Sequence, residues 1–259
     1  MGGVIDRAIC LRTWDWSETS QTALLFMHRL GALRVLAKGS RRPNAPFSAG
    51  LEPATLGEVR VFPRHGTGLS TLASWDLEER YAAPRATLPW FHAASYAIEV
   101  VSSSLTELDP HPGLFDALHN VLGADPGDDP LDAVIRVQWE ALAESGHMPD
   151  LQAGPAERPA SDAQQSEEPA GVYWFAPQMG ALVTDARGAG EIWRVRSGTV
   201  ACLRSLASEA NGSSEHGPIT WARAARLLDA YLRYVLGADL RSFAMVDLAT
   251  ETGGMPGQR

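Results

Sequence analysis

Lysine and cysteine are both scarce in this sequence of 259 residues. There is a single lysine, Lys38, so arginine supplies almost all of the positive charge. The two cysteines, Cys10 and Cys202, lie far apart without a disulfide-scaffold pattern, and we expect small buried side chains in a reducing compartment. No apolar run reaches the roughly 18 residues that a membrane-spanning helix needs, and the N-terminus lacks the pattern of a signal peptide. These absences predict a cytoplasmic protein that does not bind a membrane.

The motifs of common catalytic sites are missing as well. The seven histidines form no His-Glu-x-x-His pair, and the sequence has neither a Gly-Lys-Ser/Thr phosphate-binding loop nor a Gly-x-Ser-x-Gly turn. The acidic pairs Asp128-Asp129 and Glu167-Glu168 fall in loop-like sequence, where solvated charge is the usual role. We therefore predict a binding protein without catalytic residues, and not an enzyme.

The charge is divided unevenly along the chain. Residues 1–75 contain nine cationic residues against five acidic ones, a net charge of +4, whereas the remaining residues contain thirteen against twenty-six, a net charge of −13. The most basic segment is Lys38-Gly39-Ser40-Arg41-Arg42, where a glycine beside clustered cations lets the backbone approach a phosphate closely. The asymmetry predicts that the first third of the chain contacts a polyanion, which the acidic remainder repels. An ordinary solvated turn is the alternative for the basic segment alone.

Residues 1–79 are predicted to form a small β domain. Five short apolar runs separated by glycine, proline and turn residues are typical of strands, at residues 7–12, 23–27, 32–37, 58–62 and 68–73. Five short strands favour a barrel of the oligonucleotide/oligosaccharide-binding (OB) type, although periodicity alone leaves an SH3-like barrel open.

After residue 80 the apolar residues recur at helical spacing, which predicts a helical domain over residues 80–245. Helices are expected to begin near Leu88, at Pro130 and at Pro218. Residues 152–170, rich in Ala, Pro, Ser, Gln and Glu, predict a mobile loop inside this domain, and residues 246–259 predict a flexible tail. The expected fold class is α+β and multidomain, with an N-terminal five-stranded OB-fold barrel followed by an all-α helical domain.

Aromatic residues alternate with the cations of the first domain, a combination that suits single-stranded nucleic acid. Cations hold its backbone, and flat rings stack under its bases, each stack contributing roughly 1–3 kcal/mol. Trp14 and Trp16 share a strand-like parity in the predicted connection between the first two strands, and a hydrophobic lid over the barrel is their alternative role. The predicted DNA-binding residues are Arg12, Arg34, Lys38, Arg41, Arg42, Arg60, Trp14 and Trp16.

Several segments, in this order and spacing, carry a resemblance to a known family. They are Arg7-Ala8-Ile9-Cys10-Leu11-Arg12, then Trp16-Ser17-Glu18-Thr19-Ser20, then Gly31-Ala32-Leu33-Arg34-Val35-Leu36-Ala37-Lys38-Gly39. Gly50-Leu51-Glu52-Pro53-Ala54-Thr55 and Leu114-Phe115-Asp116-Ala117-Leu118 add to them. Together they resemble RecO, the bacterial recombination-mediator and DNA-repair family. The resemblance covers most of residues 5–150 and, more loosely, residues 171–245.

The resemblance implies a function and partners. RecO-like proteins pair an OB fold with a helical domain, bind single- and double-stranded DNA, anneal complementary strands, and work with RecR to load the RecA recombinase. They also engage the acidic, phenylalanine-ending tail of the single-stranded DNA-binding protein (SSB). Arg136 falls where the family places an arginine for that tail, with Leu114 and Phe115 as candidate pocket walls, and an ion pair with Asp132 is the alternative. The implied protein is a monomer when free and associates with the nucleoid.

The sequence departs from the family in one place. Many RecO proteins carry four cysteines, as two pairs, after a Gly-(Tyr/His)-x-Pro-Asp step. Here Gly146-His147-Met148-Pro149-Asp150 is followed by Ala153-Gly154-Pro155-Ala156-Glu157 without a cysteine, and the pattern resumes at Trp174 and Gly180 without the second pair. A thiolate zinc site needs about four ligands, so we predict no structural zinc and no other cofactor. Two hypotheses follow from the whole sequence. One is a mediator that binds and anneals DNA, and the other is an adaptor of the same fold that acts mainly through protein contacts.

Overall fold

The computed structural model describes residues 3–47, 51–64, 66, 68–154, 172–185, 190–208 and 217–246. These residues form two compact units, one made of residues up to 144 together with 240–246, and one made of residues 145–239. The first unit extends across the predicted boundary at residues 79 and 80. The predicted loop at 152–170 and tail at 246–259 lie almost wholly outside the described residues. No described helix combines the length and the apolar character that crossing a membrane requires.

A closed barrel of five strands, in the order β1-β2-β3-β5-β4, begins the first unit. The strands are β1 (Val4–Ser17), β2 (Ser20–Met27), β3 (Gly31–Ala37), β4 (Thr55–Phe62) and β5 (Ser70–Arg80). Strands β3 and β5 pair in parallel, and the other neighbours pair antiparallel. The five predicted strands are present, and the prediction of an N-terminal five-stranded OB barrel is confirmed.

Alternation of apolar and polar residues builds the barrel. In β4, Val59 and Val61 are buried, while Glu58, Arg60 and Phe62 point to solvent. Inward-facing side chains fill the interior of a small barrel, so its centre is a packed core and not a channel. Two aromatic residues that follow the basic segment in the chain, Phe47 and Trp75, belong to that core. Cys10 is buried in it as well, as expected.

Four helices complete the first unit: α1 (Ala83–Ala86), α2 (Leu88–Ser104), α3 (Pro112–Leu122) and α4 (Pro130–Glu144). The hydroxyl of Thr87 accepts a hydrogen bond from the backbone N–H of Trp90 and caps α2. The chain returns to this unit near its end, where a 3₁₀ helix at Arg241–Met245 packs against α2. The Glu99 carboxylate accepts hydrogen bonds from the N–H groups of Arg241 and Ser242 and holds that helix in place.

The end of β2 and the start of β3, on either side of the turn between them, join the barrel to the helical part of the first unit. The N–H of Leu108 donates to the carbonyl oxygen of Ala32 at 3.0 Å, and the rings of Phe26 and Phe115 meet edge to face with centroids 5.5 Å apart. Gly31, with a φ of +76°, lies at the closest approach, since a Cβ on it would be 2.0 Å from the carbonyl oxygen of Asp109. The contact therefore requires glycine for its conformation and for its lack of a side chain.

The second unit combines helices with a small sheet. It contains β6 (Val172–Ala176), β7 (Ala181–Val183), β8 (Trp193–Arg196), α5 (Ser197–Ala207) and α6 (Pro218–Leu236), with strand order β7-β6-β8. The predicted helical region is confirmed, but the description all-α omits this sheet. Its strands have five, three and four residues, too few to show a period of two in the sequence.

Replacing Gly31 by alanine should destabilise the first unit. The change Gly31→Ala forces a Cβ into the backbone of Asp109, and we expect a loss of at least about 2 kcal/mol in the free energy of unfolding, measured by urea denaturation. Gly66→Ala is the matched control, because Gly66 belongs to the same unit and has a φ of +94° and open space around the Cβ position. It should lose only the conformational part, about 1 kcal/mol. Equal losses in both variants would contradict a steric role for Gly31.

Candidate nucleic-acid interface

Trp14 and Trp16 lie in strand β1 itself, and not in a connection after it as predicted. Strand β1 extends to Ser17 because its antiparallel pairing with β2 continues to Ser20, with an irregularity between Asp15 and Ser17. The two indoles are 43% and 61% exposed. They are therefore outward-facing rings on the surface of the barrel, and neither forms part of its core.

Arg12 is held against one of these rings. Its guanidinium carbon lies 5.4 Å from the ring centroid of Trp14, two residues along the same face of β1. A cation over an exposed ring is stabilised by about 0.5–1 kcal/mol, so the pair presents a charge and a flat surface together. Arg34 is close to this pair, because Arg12 and Arg34 are both register partners of Leu24. Two strand spacings separate the two arginines, roughly 10 Å.

The basic segment forms a turn that is fastened to the β1–β2 hairpin. Gly39 has a φ of +72°, and its N–H donates to the hydroxyl of Ser20 at 3.0 Å. The hydroxyl of Ser40 donates to the side-chain carbonyl of Gln21 at 3.2 Å, in buried surroundings. Ser20 and Gln21 were not predicted as part of the site. They fix the backbone of the turn, so the exposed side chains of Lys38 and Arg42 start from a defined position.

Ion pairing separates the cations of the barrel into two groups. Arg41 is paired with Asp15, and both side chains are largely exposed. Other arginines of this unit are also paired: Arg7 with Glu78, Arg29 with Asp6, and Arg80 and Arg85 with Glu52. By contrast, no carboxylate within the described ranges forms an ion pair with Arg12, Arg34, Lys38, Arg42, Arg60 or Arg64. These six are the cations best able to accept a phosphate without first losing an internal partner.

The structure brings together most of the predicted DNA-binding residues. Arg12, Arg34 and Trp14 share the outer face of β1–β3, and the basic turn adjoins it through Arg41 and Asp15. Arg60 stands apart along β1, because it pairs with Ile5, seven residues before Arg12. That separation is roughly 23 Å along the strand.

The residues predicted to hold an acidic peptide tail occupy different surroundings. Leu114 and Phe115 are 1% and 2% exposed, and the Phe115 ring packs edge to face on Phe26 and on His28. Arg136 is exposed, and its Nε donates to the Asp132 carboxylate at 2.7 Å. A cleft of about 310 Å³ includes Phe115 in its wall but neither Leu114 nor Arg136. The ion pair with Asp132, the alternative for Arg136, is observed.

The titratable groups bear on whether the described residues hold a metal ion or a reactive thiol. No group of three or more His, Cys, Asp or Glu side chains there is placed to hold a metal ion. Burial raises the pKa of the Cys10 thiol to about 12 and that of Cys202 to about 11, which keeps both thiols neutral and unreactive. Burial, with the nearby charge of Glu144, raises the pKa of Glu140.

The fold defines the class of protein: a five-stranded OB-type barrel followed by a helical region. Two sequence models of one family match the chain, "Recombination protein O N terminal" over residues 1–81 and "Recombination protein O C terminal" over residues 88–244. The chain belongs to the RecO family.

Relatives described as "DNA repair protein RecO" support this assignment. The protein of Anaeromyxobacter dehalogenans strain 2CP-C is 29% identical over 244 residues, which is 92% of this chain and 94% of that protein. The protein of Rhodopirellula baltica is 31% identical over 56% of this chain and 54% of its own length. The protein of Bacillus subtilis strain 168 is 30% identical over 55% of this chain and 56% of its own. The last two matches thus span about half of each relative.

The pairing of Arg41 leads to a prediction about its neighbour. Arg42→Ala should lower the slope of log affinity against log salt for single-stranded DNA by about 0.7, the value for one lost phosphate contact. Arg41→Ala should lower the slope less, because Arg41 already has Asp15 as its partner. Anisotropy titration of a labelled oligonucleotide at several salt concentrations measures both slopes. A larger effect for Arg41 would show that the ion pair opens on binding.

Proposed function

We propose that this chain is a DNA repair and homologous recombination mediator. It binds single- and double-stranded DNA, anneals complementary strands, and with RecR helps to load the RecA recombinase onto single strands coated by SSB. The observation that carries the proposal is the Arg12–Trp14 pair on the outer face of the barrel, beside cations without carboxylate partners among the described residues. Membership of the RecO family supports the same role.

The physical requirement of annealing fits this surface. Two complementary strands repel one another through their phosphates, and cations that neutralise phosphates reduce the repulsion and release counterions. This requires no bond making or breaking, so the protein acts without catalytic residues and is not an enzyme. It acts as a monomer when free, in the cytoplasm at the nucleoid.

An adaptor role is the second candidate, and one observation favours it. Residues 76–259 carry a net charge of −13, which opposes contact with DNA outside the barrel. An adaptor would act mainly through protein contacts, including the SSB tail near Arg136, Leu114 and Phe115. Weak binding of single-stranded DNA with little salt dependence would favour the adaptor, and tight binding with a steep salt slope would favour the mediator.

Charge reversal on the basic turn tests the mediator directly. Lys38→Glu combined with Arg41→Glu should weaken DNA binding about equally for all base sequences, because phosphate contacts carry no sequence information. It should also slow annealing of oligonucleotides that are precoated with SSB. Arg136→Glu is a control for charge reversal outside the barrel and should leave binding to naked DNA unchanged. Unchanged affinity of the double variant at low salt would place the DNA path elsewhere.

We also propose that this member of the family has no structural zinc. Residues 151–201 contain no cysteine, and a thiolate zinc site needs about four ligands. Elemental analysis of the purified protein should find zinc far below one equivalent, and a chelator should leave the melting temperature unchanged. One equivalent of bound zinc would contradict the proposal.

A further inference from the structure

Trp14 and Phe62 lie at the two ends of one row of paired residues that crosses all five strands of the barrel. The row runs, by register partners, through Trp14, Thr22, Leu36, Thr71 and Phe62. Each of these side chains is exposed or half-buried, so the row lies on the outer surface. The two rings at its ends are 43% and 42% exposed. Four strand spacings place them roughly 19 Å apart along the surface.

Arginines border the row on one side. Arg12 and Arg34 share the register partner Leu24 in β2. They belong to the next outward-facing row, on the side where β3 begins. At the far end the N–H of Arg64 donates to the hydroxyl of Ser70 at 3.0 Å, which fixes the backbone of Arg64 next to the start of β5. Since β4 and β5 are antiparallel, Arg64 lies beyond Phe62 on the same side as Arg12 and Arg34.

Two further cations border the row on its other side. Lys38 follows Leu36 by two residues, and Arg60 precedes Phe62 by two residues. Because β5 pairs with both β3 and β4, these two cations lie on the same side of the row. Arg60 is distant from Arg12 when the path follows β1. Across β5, however, Arg60 lies on the same side of the row as Lys38, so it joins the predicted site there. Like Arg12, Arg34 and Lys38, neither Arg60 nor Arg64 forms an ion pair with a carboxylate in the described ranges.

A cleft of about 400 Å³ lies on the side of the row that carries Arg12, Arg34 and Arg64. Its walls include Arg34, Gly66, Gly68, Leu69 and Glu107. The Glu107 carboxylate repels a phosphate but can accept a hydrogen bond from the amino group of a base. The cleft therefore suits an unstacked base better than a backbone phosphate, which is how single strands are commonly recognised.

The path is curved, which decides between a single strand and a duplex. Val61, next to Phe62, pairs with Val4 of β1, ten residues before Trp14, so the row winds around the barrel and does not close on itself. A duplex has a persistence length of about 150 base pairs and resists bending around so small a body. A single strand follows the curve, and its unpaired bases are free to stack on exposed rings.

We propose that the outer stripe from Trp14 to Phe62 is one continuous track for single-stranded nucleic acid. Trp14 and Phe62 are stacking platforms at its two ends, and Arg12, Arg34 and Arg64 on one border face Lys38 and Arg60 on the other. The proposal rests on the proposed function and deepens it, since it adds Phe62 and Arg64 as contact residues and assigns the single strand as ligand of this surface.

Oligonucleotide length is the variable that tests a track with two ends. OB folds occupy roughly 4–16 nucleotides, so oligodeoxycytidylates of about four and about sixteen nucleotides, whose bases carry an amino group, bracket the stripe. The double variant Phe62→Ala with Arg64→Ala should bind the long oligonucleotide about tenfold more weakly than the wild type does. It should bind the short one no more than about twofold more weakly, because a short strand can still occupy the Trp14 end. Fluorescence anisotropy at one fixed salt concentration measures both affinities.

Phe91→Ala with Arg226→Ala is the matched control. It removes an exposed phenylalanine and an exposed arginine from helices α2 and α6, outside the barrel. The control should bind both lengths as the wild type does, and circular dichroism confirms that all variants are folded. A sixteen-base-pair duplex should lose no more affinity with the Phe62/Arg64 variant than with the control.

The outcomes separate this proposal from the one on which it rests. If charge reversal at Lys38 and Arg41 weakens binding but the Phe62/Arg64 variant binds the long strand as the control does, the track is refuted and the proposed function stands. If neither change weakens binding, the track is refuted and the DNA path lies elsewhere. Weak binding of the wild type with little salt dependence would refute the mediator itself. An equal loss for duplex and single strand, or for short and long strands, would also overturn the track.

Discussion

The pairing of β3 with β5 is the interaction on which the outer surface of the barrel depends. It consists of three register pairs, from Val35 with Ser70 to Ala37 with Leu72, and these join two strands that are far apart in the chain. Because side chains alternate between the two faces of a strand, a slip of one residue would turn Thr71 inward and break the row of outward residues. Closure of the sheet thus builds the core. It also brings Trp14 of β1 and Phe62 of β4 into one row, although these two residues are not direct register partners.

Arginine suits this surface better than lysine would. A guanidinium is planar and weakly hydrated, so it can lie on an indole, as Arg12 does on Trp14, and still donate hydrogen bonds to a phosphate. It also forms directed pairs with carboxylates, as Arg29 does with the buried Asp6. The same residue type therefore has two roles in this barrel. Where a carboxylate is near, arginine fastens strands and turns together; where none is near, it remains available for a ligand.

Much of the fold could be predicted from the sequence, because apolar–polar alternation and helix-start signals depend only on neighbouring residues. The five strands and the helices beginning at Pro130 and Pro218 follow from them. The three-stranded sheet of the second unit was not predicted, since Ala181–Val183 is too short to show any period. The buried position of Leu114 and Phe115 is also invisible locally, because a Leu-Phe pair on an amphipathic helix can face either a core or a groove.

The candidate site was predicted in composition but only partly in geometry. Clustered cations and exposed tryptophans can be recognised from the sequence. The pairing of Arg41 with Asp15 cannot, because it depends on how the basic turn folds back on the hairpin. The same holds for Arg60 and Phe62, whose place beside Lys38 and Thr71 follows from register between distant strands. Nonlocal register is the information that the sequence pattern lacks.

Net charge is a poor guide to whether this chain binds a polyanion. The formal charge is −9, which by itself would predict repulsion from DNA. At physiological ionic strength, however, the Debye length is about 8 Å, so charges much farther away than this from the stripe are largely screened. The stripe spans roughly 19 Å from Trp14 to Phe62, so even charges at its two ends interact only weakly with each other. A phosphate on the stripe therefore responds mainly to the charges next to it. These are cations without a carboxylate partner among the described residues, with Glu107 at the cleft as an opposing charge. What matters for binding is that unpaired cations are contiguous, and the register of the barrel supplies that contiguity in a chain of the opposite overall sign.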